Sequence, residues 1–348
     1  MRRGLLAFLC LFLFSCTGSQ ERQERVRRWM APNGKIKVLS TIAMIDDLVE
    51  GVGKEHVEGM VLIEGELDPH SYQLVKGDGE LLQRADLIFF NGLNLEHGPS
   101  LKKVLYESKK AHALGDAVAE ENPGLILHYN GQTDPHIWMD VSIWSMIVPH
   151  IASVLSEADP EHREEYSKNA EELQQQLLQL NEKIYGMLQA IPEEKRYLVT
   201  SHDAFNYFAR SYLATDRERT EGNWQKRFAA PEGLSPDSQL SVIDIRNIVE
   251  HLEKYKIQVL FPESNLSRDS IRKIVEAGKE RGLDLTIATC PLYADAMGSP
   301  GSPEGHYEGM VLYNARTIGL FLRDFNPRKA IDCHEEARII SASPDGQL

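Results

Sequence analysis

The sequence predicts an α/β protein of two lobes, each a mostly parallel sheet flanked by helices, joined by one long rigid helix. Short β-branched and aromatic runs alternate with helical patterns before residue 130 and again after residue 196, as right-handed βαβ units require. Between them, Tyr166, Ala170, Leu173, Leu177, Leu180, Ile184, Met187 and Ile191 recur at 4-3-4-3-4-3-4 spacing, with Glu, Gln, Asn and Lys elsewhere. That is one apolar stripe along a helix roughly 38 Å long at 1.5 Å per residue. Proline is absent from it until Pro192. Under four heptads long, the stripe suits a helix laid against both halves of one chain better than a coiled-coil dimer.

The elements follow in order. Residues 1–16, "MRRGLLAFLCLFLFSC", have a basic start and an apolar core too short to span a bilayer as a mature helix. They read as a signal peptide, and "LFSC" is similar to a bacterial lipobox, which makes Cys16 the expected lipidation site and mature N-terminus. The alternative is ordinary cleavage nearby. Residues 17–34 are polar, end in Pro-Asn-Gly, and read as a flexible tether. A first lobe, 35–160, opens with the strands "KIKVLSTI" (35–42), "VEGMVLI" (57–63) and "DLIFFNG" (86–92), and "AHAL" (111–114) starts a fourth. The linking helix occupies 161–192. A second lobe, 193–327, alternates the strands "RYLVTS", "IQVLFPE" and "LDLTIATC" with helices near 203–213, 240–255, 268–281 and 305–323. Residues 328–348 form a carboxy-terminal extension whose last stretch, "SASPDGQL", is expected to be disordered.

Composition limits the function. The chain carries 52 acidic and 38 basic residues, a formal net charge of −14, and loss of the two leader arginines leaves −16. Nucleic acid, which demands clustered Lys and Arg, is a poor partner for such a chain. The body is expected to be soluble, on the periplasmic or extracytoplasmic face, held to the membrane by a lipid anchor. With Cys16 lipidated, Cys290 and Cys333 remain as a pair in an oxidising compartment, where they either bridge or stay as two separate thiols.

Two short stretches repeat. "DPHSY" occupies 68–72 and "DPHIW" 134–138. Proline fixes its own φ and restricts the residue before it, so each imidazole leaves a stiffened backbone. Asp68 and Asp134 either hold the neighbouring ring in one tautomer or form Asx-turns. Asp140 reads as an N-cap. In the second half, His202 follows a strand at the sheet's carboxyl edge, where open α/β sheets bind ligands. Asp295 sits in a loop before glycine. His70, His136, His202 and Asp295 together would make a four-donor site for a first-row divalent cation, two donors from each half.

These motifs, with "RADLIFFNGLNLE" (84–96), "TSHDAFNYFARSY" (200–212), "FPESNLS" (261–267) and "PLYADAMG", stand in the order found in metal-binding receptors of bacterial ABC importers. Over residues 35–325 the chain resembles this TroA-like, ZnuA-like and PsaA-like family of two lobes on a rigid helix. The resemblance implies His70, His136, His202 and Asp295 as ligands, and Zn, Mn or Fe as cargo. It further implies delivery to an integral-membrane permease driven by a separate ATPase, no enzymatic activity, and a monomer. "VKGDG" (75–79) and Val141 depart from the family pattern without touching a ligand. No His-rich loop separates the first two histidines, and the three-His-one-Asp set looks most like the TroA branch. Residues 216–231 and those after 327 go beyond the common pattern.

Glu263 is a candidate for the outer shell, or else a surface or N-cap carboxylate. All four donors must be deprotonated to bind, so uptake should weaken as pH falls through about 6.5. Two other classes compete: a secreted zinc hydrolase, disfavoured by four protein donors and no H-E-x-x-H, and a surface adhesin with a structural metal.

Overall fold

The computed structural model describes residues 17–129, 131–236 and 240–324. The signal peptide with Cys16, Cys333 and the 328–348 extension lie outside them. In the amino-terminal lobe, β1 (Ile36–Ser40) pairs in parallel with β2 (Val57–Val61) and β3 (Leu87–Phe90), and β4 (Ala111–Ala113) adds to β3, giving the order β2-β1-β3-β4. Val38, Leu39, Phe89 and Phe90 are buried at its centre, as a sheet covered on both faces requires. Helices Ala43–Gly53 and Ile147–Ala158 pack on one side.

Residues 17–34 depart from the flexible tether. Thr17–Met30 form a helix, α1, that packs on β2. Trp29 is buried and its indole N–H donates to the Glu58 carbonyl at 2.9 Å, while Arg25 pairs with Glu64 at 2.7 Å. One aromatic anchor and the aliphatic stems of arginines seat a segment whose composition reads as a linker.

The long helix spans Arg163–Gln189. It lies against Ala43–Gly53, Ile147–Ala158 and the last helix, Tyr307–Asp324, so its apolar stripe is covered by its own chain. Tyr166, Ala170, Leu177, Leu180 and Ile184 are buried as the spacing requires, Leu173 is only partly buried, and Leu188 takes the place of Met187. A straight helix turns every 3.6 residues, so a 3.5-residue repeat drifts off the contact by the third heptad. Ile191 is buried just beyond the helix end.

The carboxy-terminal lobe has shorter strands than the sequence suggests. Leu198–Val199 pairs in parallel with Phe228–Ala229, and Val259–Leu260 with Thr286–Ile287. The Phe261 N–H donates to the Val199 carbonyl at 2.8 Å and joins the pairs into one parallel layer. Residues 203–213 wind as a 3-10 turn, one α turn and a π segment rather than a regular helix. Residues 141–158 have the mean hydropathy of a membrane span, but they are buried in the core as two helices, Val141–Trp144 and Ile147–Ala158.

Residues 216–231 have a structural role. Thr215 and Glu218 form a capping box on Asp216–Glu221. Arg227, 2% exposed, binds Glu218 through Nε and Nη2 at 2.8 Å each and donates to the Glu193 carbonyl at 2.6 Å. The segment is thereby fastened to the turn that follows the long helix.

Candidate metal centre

Each donor is placed by backbone that the sequence stiffens. Asp68 accepts from the His70 N–H at 2.8 Å and from the Ser71 hydroxyl at 2.5 Å, which is the Asx-turn rather than a grip on the imidazole. A Cβ at Gly98 would fall 1.9 Å from the Tyr72 carbonyl oxygen, so only glycine lets the 98–100 segment close over this loop. Asp134 does both jobs: its Oδ1 accepts from the His136 N–H at 3.0 Å and lies 2.7 Å from His136 Nδ1. Behind it, Asn91 donates to the Pro135 carbonyl at 3.0 Å. Asp140 caps the next helix, accepting from the Ser142 and Ile143 N–H groups.

In the second lobe, Glu263 Oε1 accepts from the Ser201 and His202 N–H groups at 2.9 Å each, and its Oε2 stands 2.5 Å from His202 Nδ1. Glu263 is 2% exposed, so the surface alternative does not hold.

The four side chains converge. His70 Nε2 lies 3.2 Å from His136 Nε2. Asp295 lies 3.6 Å from His70 Nε2, 3.5 Å from His136 Nε2 and 3.2 Å from His202 Nε2. All four residues are at most 4% exposed. A tetrahedral ion with bonds of about 2.0–2.2 Å has donor–donor edges of about 3.3–3.6 Å; the four distances above lie near that range, and one donor atom from each residue lies within 4.8 Å of the others. Neither Asp295 oxygen nor His202 Nε2 makes an aligned hydrogen bond, although they lie close together. Buried polar atoms left without partners around a common point fit a cation.

Titration follows from the same contacts. Burial pushes the His136 imidazole down, with Asp134 opposing. Burial also works against a charged His202, but Glu263 and Asp295 outweigh it and hold the ring well above its usual range. Asp295, raised by burial, is carried well below the ordinary carboxylate range chiefly by His202. His202 thus stands between two carboxylates, Glu263 and Asp295, that both favour its protonated form.

Sequence reasoning missed the braces between the lobes. Asn206 donates to Asp134 Oδ2 at 3.1 Å, and the Tyr207 hydroxyl donates to the Asp134 carbonyl at 3.0 Å. The Trp138 indole N–H reaches the Ala294 carbonyl at 2.9 Å. The available signal was that a buried Tyr or Trp needs a partner for its polar atom. A groove of about 1730 Å³ runs between α1, β2 and the 293–301 loop, and Asp295 lines it. Cys290 is buried and disulfide-bonded.

Comparison with known proteins finds relatives over most of the chain. The family model described as zinc-uptake complex component A, periplasmic, matches residues 38–319. The metal-binding protein YtgA of Chlamydia muridarum is 39% identical over 315 residues, covering 90% of this chain and 93% of the relative. The manganese-binding lipoprotein MntA of Bacillus subtilis is 34% identical over 322 residues, covering 91% and 98%. The crystal structure of Fe(III)-bound YtgA from Chlamydia trachomatis superposes with a TM-score of 0.78 at 39% identity, covering 83% of this chain and 98% of that one.

Proposed function

We propose that this chain, which belongs to the periplasmic zinc-uptake component A family, is the receptor of a metal importer that captures Zn, Mn or Fe between its lobes. His70 and His136 would hold the ion from the amino-terminal lobe, and His202 and Asp295 from the carboxy-terminal lobe. The observation that carries this reading is the convergence of four buried donors, with one ligand atom from each within 4.8 Å of the others and with Asp295 and His202 Nε2 making no aligned hydrogen bond.

The cargo is a borderline cation by the chemistry of its donors. Three imidazoles favour Zn, and a carboxylate able to become bidentate admits Mn and Fe, with intrinsic affinity rising from Mn through Fe to Zn. Asp134 and Glu263 orient the imidazoles and supply outer negative charge to a cluster whose inner shell would carry net +1. The protein acts as a lipid-anchored monomer outside the cytoplasmic membrane, releases the ion to a permease served by a separate ATPase, and performs no chemistry on it.

The test is calorimetric titration of metal-free protein with Zn²⁺ and Mn²⁺, beside His70→Ala and Asp295→Asn. Tight binding weakened sharply in both variants is expected. Unchanged binding in both would refute the assignment.

A further inference from the structure

We propose a second, surface site for a borderline divalent cation such as Zn²⁺, formed by His56, His162 and Glu165 where the turn after Ala43–Gly53 meets the start of the long helix. One donor atom from each residue lies within 4.8 Å of the others. His56 Nε2 stands 2.9 Å from Glu165 Oε2, and the two imidazoles stack with centroids 3.7 Å apart and planes 23° from parallel. His56 and Glu165, 109 positions apart in sequence, are thus brought within hydrogen-bond distance by the fold.

The second imidazole is oriented by an outer carboxylate. Asp159 Oδ2 lies 2.6 Å from His162 Nδ1 and accepts from the Tyr166 hydroxyl at 2.8 Å. With Nδ1–H held by Asp159, His162 Nε2 keeps its lone pair, the arrangement that metal-binding histidines use. The Tyr166 ring packs edge-on against both imidazoles and limits their rotation.

Two imidazoles and a carboxylate, with room for water, suit Zn²⁺, Ni²⁺ or Cu²⁺. A bound ion needs donor edges of about 3.3–3.6 Å, so the His56–Glu165 pair must open slightly and the widest gap must close. The side chains are 19%, 30% and 59% exposed for His56, His162 and Glu165, which leaves freedom for that movement. The positive end of the long helix opposes a cation here, but Asp159, Glu161, Glu164 and Glu165 surround it with negative charge. The site shares no residue with the four-donor centre, so it stands or falls separately.

The test titrates the mature full chain with Zn²⁺ by calorimetry, with elemental analysis of bound metal. Wild type is expected to take two equivalents, the second weaker. His56→Ala and the isosteric Glu165→Gln should each lose or weaken only the second. His70→Ala should weaken only the first. Asp159→Asn should lower second-site affinity about 10-fold, through His162 alone. Paramagnetic Co²⁺ should broaden the His56 and His162 ring resonances in the His70→Ala background. A second equivalent of unchanged affinity in both His56→Ala and Glu165→Gln would overturn the proposal. So would Co²⁺ leaving those two rings untouched, which would assign the contacts to two ordinary ion pairs. Loss of the first equivalent alone would instead strike at the four-donor centre.

Discussion

Replacing Glu263 by Gln isolates what the outer carboxylate does for the cargo. The amide oxygen of Gln can keep the two backbone bonds that Glu263 Oε1 accepts from Ser201 and His202 at 2.9 Å, so the loop keeps its support. The amide nitrogen then replaces Oε2, which stands 2.5 Å from His202 Nδ1. A donor now faces a donor. Relief comes if His202 moves its proton to Nε2, but that is the atom that must bind the ion. Outer-shell substitutions of this kind cost about 10–100-fold in metal affinity, which is about 1.4–2.7 kcal/mol.

The pH dependence makes this prediction sharper. In the wild type Glu263 and Asp295 both raise the proton affinity of His202, so metal must compete with a proton at that ring, and lowering the pH weakens binding. Glu263→Gln removes one of the two carboxylates and lowers that proton affinity. The variant therefore loses intrinsic metal affinity but also loses proton competition. Its deficit should be smallest near pH 6 and should widen as pH rises. Zinc affinity measured from pH 6 to 9 against a competing chromophoric chelator reads this directly. A deficit below about twofold at the alkaline end, against the 10–100-fold expected, would show that Glu263 only supports the loop. A deficit that shrinks with rising pH would refute the His202 assignment.

Other expectations follow from the same contacts. Zinc binding near neutral pH should release a proton from His202, whose proton affinity the two carboxylates raise; calorimetry in buffers of different ionisation enthalpy measures the count, and none released would contradict that raised affinity. Trp138→Phe leaves the buried Ala294 carbonyl without its donor and should cost about 1–3 kcal/mol in urea unfolding, with zinc stoichiometry unchanged. Arg227→Ala strips the partner from buried Glu218, and because Lys226 still reaches that carboxylate the cost should fall at the low end of the range for broken buried pairs, about 3 kcal/mol. Small-angle scattering of metal-free and zinc-loaded protein should differ little in radius of gyration, since several contacts other than the ion already join the lobes. A large change would mean that those contacts break.

Legibility in the sequence tracked how local the physics was. The long helix was readable because one stripe reports one buried face; Leu173 sits at the margin of that face, and near the end, where helical drift accumulates, Leu188 is buried in place of Met187. The strands of the first lobe were readable as apolar runs. Those of the second shrink to two residues, because residues such as Thr200 and Phe261 keep ladder-like hydrogen bonds outside regular geometry. α1 was misread because Trp29 is a single anchor in a polar stretch, too little to set a period. His70 and His136 were singled out by the repeated Asp-Pro-His with an aromatic two residues on, His202 by its place after a strand, Asp295 by its loop before glycine, and all four together by family resemblance. Asn206 and Tyr207 sat inside a recognised motif, but nothing in their spacing reveals that they reach Asp134 across the lobes. The His56–His162 pair has no motif at all.

Asp134 shows why the site and the lobe junction act as one unit. Its Oδ1 faces the His136 ring, its Oδ2 accepts from Asn206, and its carbonyl accepts from Tyr207. The group that selects the tautomer of a donor in one lobe is therefore held by side chains of the other. Any movement that separates the lobes must loosen these bonds, free the His136 ring to turn, and draw His202 and Asp295 away from His70 and His136. Capture and closure then share one free energy, and the tightness of the ion is limited by how firmly Asn206 and Tyr207 keep Asp134 in place. Asn206→Asp tests the coupling: it sets a second carboxylate against Asp134 Oδ2, without touching a donor, and should both weaken zinc binding and raise the scattering radius of the metal-free form. Weaker binding with an unchanged radius would place the effect on the tautomer alone and break the link to closure.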